Sequence, residues 1–281
     1  MKNANMTSTH PDELMLQPQQ VATLLEDNAN AKILPVFVGS EAAFQQAHLP
    51  GSIQIEPAAL VCGIAPAHGK IPDVDDLTHL FRQMGLTPGT TIIAYDDEGG
   101  GWAGRLIWTL DIIGHTHYHY LDGGIHSWLA AQLPIEQGRA TERTHTEYSF
   151  ALNTQKIVTA EQLINLLHDQ SIDVWDARSA PEYNGEKIIA ARGGHMPGAV
   201  NLDWLELMDR SNALRLKPLD SIRATLGARG ISGTKPIVTH CQTHHRSGLT
   251  YLVGKLLGWN IRAYDGSWSE WGNRNDTPIA R

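Results

Sequence analysis

Cys241 is the residue of this chain best placed for covalent chemistry. It opens the stretch Cys241-Gln242-Thr243-His244-His245-Arg246-Ser247-Gly248 and follows the apolar run Pro236-Ile237-Val238-Thr239 and then His240. The run reads as a buried strand. Ser247 to Leu257, with Leu249, Leu252, Val253, Leu256 and Leu257 on one face, reads as an amphipathic helix. A thiol at such a junction meets consecutive backbone N–H groups and the positive end of a helix dipole, which favour thiolate over thiol. Arg246, with four residues between it and the thiol, adds a fixed cation whose donor fork suits an oxyanion. Gln242, Thr243, His244 and His245 line the same loop, and the two imidazoles are candidates for tuning its charge. His240 is expected to point away from the thiol, because side chains alternate along a strand.

The elements around this loop occur twice. His48-Leu49-Pro50-Gly51 returns as His195-Met196-Pro197-Gly198, and Ile92 to Asp96 returns as Ile237 to Cys241. Asp122-Gly123 with Trp128 returns as Asp265-Gly266 with Trp271, and Pro134-Ile135 as Pro278-Ile279. Four landmarks in one order at an offset of about 145 residues predict a tandem duplication. We place one copy at 17–135, a polar linker at 136–156 and the second copy at 157–281. In the second copy Thr159 caps a helix, 172–175 reads as a strand, and a helix over 218–229 ends at Gly230. Strands alternating with helices predict an α/β fold: two tandem domains, each an open, mainly parallel sheet with helices on both faces. Ligands of such sheets sit at the carboxyl ends of strands, where Cys241 lies. Asp96 stands in the first copy where Cys241 stands in the second, and a carboxylate is no substitute for a thiol nucleophile. The stretch from Asp97 to Arg105, with Gly99, Gly100 and Gly101, reads as a longer loop than its counterpart; no lysine follows to make it a nucleotide cradle.

A chain of 281 residues, 42% hydrophobic and 19% charged, accommodates two globular domains, and no apolar run is long enough to span a membrane. No secretory leader is visible, so the cytoplasm is expected. The net charge of −8 and the lack of a Lys/Arg-rich run argue against nucleic acid as a partner. Two cysteines, Cys62 and Cys241, make no disulfide framework. Cys62 reads as a loop residue without a helix start or arginine around it.

These motifs, with Asp176-Ala177-Arg178, Glu182-Tyr183 and Trp268, resemble the rhodanese family of tandem-domain sulfurtransferases, and the wording Cys-Gln-Thr-His-His-Arg is similar to that of a bacterial subgroup. The resemblance implies a catalytic second domain, a noncatalytic first one, and transfer of sulfur from a small anionic donor such as thiosulfate to cyanide, a thiol or a sulfur-accepting protein. The intermediate it implies is a covalent persulfide on Cys241, without cofactor or metal. Members of the family commonly grip the donor with an arginine after the Asp-x-Arg element, where this chain has Glu182; Arg192 is the candidate replacement. The loop lacks the glycine-rich form of the usual enzymes, which counts against mercaptopyruvate as donor. One rival is a cysteine phosphatase of the same fold, but phosphatases place five residues between cysteine and arginine where this chain has four. A metal site at His240, Cys241, His244 and His245 would occupy the nucleophile, and His115, His117 and His119, alternating in an expected strand, offer another set of ligands. A noncatalytic carrier or regulatory module would be marked by loss of the cysteine, which only the first copy shows.

Overall fold

The computed structural model describes residues 14–26, 32–140 and 142–281. Its first sheet is parallel throughout, in the order β1 (Met15–Leu16), β5 (Tyr118–Leu121), β4 (Thr91–Tyr95), β2 (Ile33–Val38) and β3 (Ile53–Ile55). The second, also parallel, runs β11 (Ile261–Ala263), β10 (Ile237–His240), β6 (Asp173–Asp176) and β7 (Val200–Asn201). Ile157 pairs with Ala263 at the edge where β1 pairs with β5, so the two sheets repeat one plan. β1 lies just ahead of residue 17, where the first copy was expected to begin. A short antiparallel pair, β8 (Met208–Asp209) and β9 (Arg215–Leu216), stands apart.

The helices are α1 (Pro18–Glu26), α2 (Glu41–Gln46), α3 (Val74–Gln83), α4 (Gly101–Ile112), α5 (Gly124–Ala130), α6 (Ala160–His168), α7 (Ala180–Tyr183), α8 (Leu219–Ala228), α9 (Arg246–Leu256) and α10 (Ser267–Trp271). Local chemistry sets their ends. Thr159 and Gln162 form a reciprocal capping box at α6. Among the described residues no helix is long and apolar enough to cross a membrane.

The repeated landmarks fasten each copy's final segment to its body. His48 pairs with Glu136 and His195 with Ala280. Each imidazole stacks on an aromatic ring, Phe44 at 3.8 Å and Tyr183 at 3.7 Å. Trp128 Nε1 donates to the carbonyl of Pro134 at 2.8 Å, and Trp271 Nε1 to that of Pro278 at 2.9 Å.

Separate apolar clusters cover the outer faces of the sheets, one around Phe37, Tyr95 and Trp128 and the other around Val174, Val238 and Trp271. The largest cluster is shared between the copies and contains Leu106 and Trp108 of α4 together with Leu249 and Leu252 of α9. These two helices cross backbone to backbone. A Cβ on Gly104 would lie 2.2 Å from the carbonyl oxygen of Gly248, and one on Gly248 would lie 2.3 Å from that of Gly101. No side chain fits between them.

Two expectations are corrected. The loop after Asp96 is not longer than the loop after Cys241: α4 begins at Gly101 and α9 at Arg246, so both loops have the same length. Glycine disfavours helix interiors, but at the first position of a helix, where Gly101 stands, that cost is small. His115 and His117 also lie ahead of β5. The His115 ring is buried, with Nε2 at 2.9 Å from the carbonyl of Thr90. The three histidines therefore do not alternate along one strand face.

Candidate active site

Residues of β10 are buried and apolar up to Thr239, and β10 delivers Cys241 fully buried at the head of α9. The Cys241 N–H donates to Ser267 Oγ at 3.3 Å, and its carbonyl accepts from Trp268 N at 3.0 Å. Gln242, Thr243, His245 and Arg246 are partly exposed and form the rim above the thiol. Among the described residues, no protein acceptor takes the backbone N–H groups from Gln242 to Ser247.

The first copy shows what such a ring of donors holds. Asp96, fully buried, accepts on Oδ1 from the N–H groups of Glu98, Gly99 and Gly100 at 3.1, 3.1 and 2.9 Å. On Oδ2 it accepts from Trp102 and Ala103, both at 2.9 Å. Burial pushes its pKa up while these donors pull it down, and burial prevails. Five converging amides thus make an anion cradle at the head of α4, already filled by a side chain of the chain itself. The loop at Cys241 is the same junction with sulfur in place of the carboxylate.

His244 occupies the position of Gly99 and shares its left-handed backbone, with φ +57 against +87. Burial pushes its imidazole well below 6.5, and the nearby Arg105 adds to the shift. The ring is therefore neutral at neutral pH; it is wedged edge-on to Trp108 at 4.5 Å, with Nδ1 2.7 Å from Ser247 Oγ. His245 points the other way. It stacks on Trp102 at 4.4 Å and meets Glu98 through Nε2 at 2.6 Å, so the first copy supplies part of the rim. His240 is buried with Nε2 3.5 Å from Asp176, the carboxylate that also takes the Arg178 guanidinium.

Arg246 is not the free fork expected. Its Nη1 and Nη2 lie 2.7 and 2.9 Å from the two oxygens of Glu182, a bidentate pair in which Glu182 is 3% exposed. Burial alone would lift Glu182, but Arg246 and Ser179 outweigh it and hold the carboxyl at about 2. Burial likewise draws Arg246 down, and Glu182 more than reverses that. Glu182 also closes the capping box of α7, accepting from Ser179 Oγ at 2.6 Å. Arg192 does not replace the missing cation. Its guanidinium is spent on the carbonyls of Trp271, Arg274 and Thr277, where it closes the segment after α10. The loose spacing of 187–194 concealed this, since its acceptors lie some eighty residues downstream.

The contribution of the first copy has no local sequence signal. The arm 60–71 lies over the loop: a Cβ on Gly69 would be 2.0 Å from the Thr243 carbonyl oxygen. Ile71 N donates to Asp265 at 2.9 Å, and Lys70 Nζ lies 2.6 Å from Glu270. The second copy returns the contact, with Leu216 N donating to Asp122 at 2.8 Å. Among the described residues no group of three His, Cys, Asp or Glu side chains is disposed to hold a metal ion.

The rhodanese-like domain model matches the chain twice, over residues 17–131 and 159–274. The chain belongs to the rhodanese family. This tandem rhodanese is 42% identical over 267 residues to the thiosulfate sulfurtransferase of Azotobacter vinelandii, a match covering 95% of this chain and 96% of that one. Identity and coverage are the same for the thiosulfate sulfurtransferase of Pseudomonas aeruginosa. The anaerobic ergothioneine biosynthesis enzyme from Chlorobium limicola shares the fold, with a TM-score of 0.85 at 20% identity over 95% of this rhodanese and 70% of that chain.

Proposed function

We propose that this rhodanese is a thiosulfate sulfurtransferase that carries sulfur on Cys241. The observation that carries the reading is the pairing of equivalent loops: five amides hold a carboxyl side chain in one, and a lone thiol stands at the same place in the other. The Cys241 thiolate attacks the outer sulfur of thiosulfate, the sulfur–sulfur bond breaks, and sulfite leaves with the bonding pair. The persulfide anion left on Cys241 is held by the loop amides. Cyanide or a thiolate then attacks the terminal sulfur, and the Cys241 thiolate is restored.

The donor follows from what the rim lacks. Arg246 is neutralised by Glu182, and Arg192 is turned onto carbonyls, so neither offers a free fork to the carboxylate of mercaptopyruvate. Thiosulfate, whose charge is carried next to the sulfur it gives up, can be held by the amides themselves. The first copy, 17–135, acts as a brace without sulfur chemistry, 136–156 links the copies, and 157–281 carries the reaction. No cofactor is required, and a reducing cytoplasm keeps the free thiol of Cys241 available.

Intact-mass measurement tests the reading. After thiosulfate, wild type should gain one sulfur atom and lose it on addition of cyanide, while Cys241→Ala gains none. A mutant that loads and unloads like wild type removes Cys241 from the reaction.

A further inference from the structure

We propose that Arg105, in the noncatalytic copy, is a positioning residue that sets the electrostatic field at the Cys241 sulfur from across the boundary between the copies. Arg105 lies one turn into α4, is wholly buried, and packs its guanidinium on Trp108 with Cζ 4.4 Å from the ring centroid. Its Nη1 donates to the Gly69 carbonyl at 2.8 Å and its Nη2 to the Leu60 carbonyl at 2.6 Å, while Nε has no partner. Both acceptors are neutral. Among the described residues no carboxylate is recorded in an ion pair with Arg105, which is wholly buried, although a buried cation without a counter-charge is costly.

Two contacts of this guanidinium lead to the Cys241 loop. Gly69, which it holds, presses on the Thr243 carbonyl, and Trp108, which it covers, presses on His244. The Arg105 backbone itself meets α9, since a Cβ on Gly248 would lie 2.6 Å from Arg105 N. The charged and titratable groups around it are few. His244 is neutral, Lys70 and Glu270 satisfy one another, and His245 is engaged by Glu98. Asp265, Cys241 and Cys62 remain within electrostatic reach, and against burial they keep Arg105 at about 10, hence charged at neutral pH. With Arg246 paired to Glu182, Arg105 is a cation whose charge is free to balance a negative sulfur.

The test compares alkylation of Cys241 by iodoacetate and by iodoacetamide in the full chain. The reagents are similar in size and meet the same thiolate, so their rate ratio cancels thiol ionisation and loop opening and leaves the field acting on an incoming anion. In Arg105→Gln the iodoacetate-to-iodoacetamide ratio should fall about fivefold or more, as loss of one nearby buried charge predicts. In Arg105→Lys, which keeps the charge but not the fork, it should stay within about twofold of wild type. Equal slowing with both reagents in Arg105→Gln would make Arg105 a brace and overturn the proposal. Should that variant not fold, a fivefold fall of the ratio in folded Arg105→Lys overturns it equally. The proposal rests on Cys241 as the sulfur carrier, yet alkylation of its thiolate, with loss of iodide, needs no transferred sulfur: a failed mass experiment and an unchanged ratio are separate results.

Discussion

Arg246 and Glu182 form a two-pronged ion pair at 2.7 and 2.9 Å, at the rim of a site built to receive an anion. The pair subtracts a positive charge at the mouth. Replacing Glu182 with Gln should restore it and lower KM for thiosulfate about fivefold, with little change in kcat, because the gain is in binding the dianion. Steady-state kinetics at constant ionic strength checks this. The pair also has a stability signature. Glu182 titrates at about 2 in the folded protein against an ordinary 4.5, so its contribution is complete above about 4.5 and is lost as pH falls toward 2. Wild type and Glu182→Gln should therefore converge in stability at the acid end of a melting series.

His244 gives a second pH dependence, nearer neutrality. Its folded-state pKa lies well below the ordinary 6.5, so the unfolded chain binds the proton more readily. The stability it contributes is complete above 6.5 and declines as pH falls below it. His240 and His115 are also depressed by burial, so the decline in wild type is shared. Thermal melts between pH 8 and 5 should fall less steeply in His244→Gln than in wild type.

Asp96 is structural in a way that a surface aspartate is not. Asp96→Ala orphans five backbone N–H groups around a buried position and should cost about 3 to 5 kcal/mol, read from urea unfolding. Asp96→Asn, with one carbonyl oxygen left to accept, should lose less.

The glycine crossing is equally unforgiving. Gly104→Ala places a methyl 2.2 Å from the Gly248 carbonyl oxygen and must force α4 from α9. A loss of about 3 kcal/mol or more is expected in equilibrium unfolding, with slower sulfur transfer in whatever folds. Gly227→Ala, in open space on α8, is the control and should not destabilise.

What could be read from the sequence was local or periodic. The strand before Cys241, the helix after it and the repeat at Asp96 rest on spacing along the chain, and the structure keeps them. Glu182 was noticed as a misfit, but its partner stands 64 residues away and a single sequence does not announce such pairs. Arg192 was misplaced for the same reason. Arg105, Gly69 and Glu98 are not legible in the sequence because each acts on the opposite copy: an arginine in a helix and a glycine in an arm have no local pattern to mark them. Gly101 misled in the other direction, as a glycine that begins a helix.

The reciprocal arms carry one more consequence. Ile71 reaches Asp265, and Leu216 reaches Asp122, so equivalent surfaces meet in equivalent ways. That is the geometry of an isologous two-fold dimer, realised within one polypeptide. Such an interface is self-complementary and closed, so each copy already occupies the docking face of the other. Covalent fusion frees the two protomers of this internal dimer to diverge, and among the positions where they differ the head of the loop holds Asp96 in one and Cys241 in the other, so the pair is symmetric in its docking and asymmetric in its chemistry.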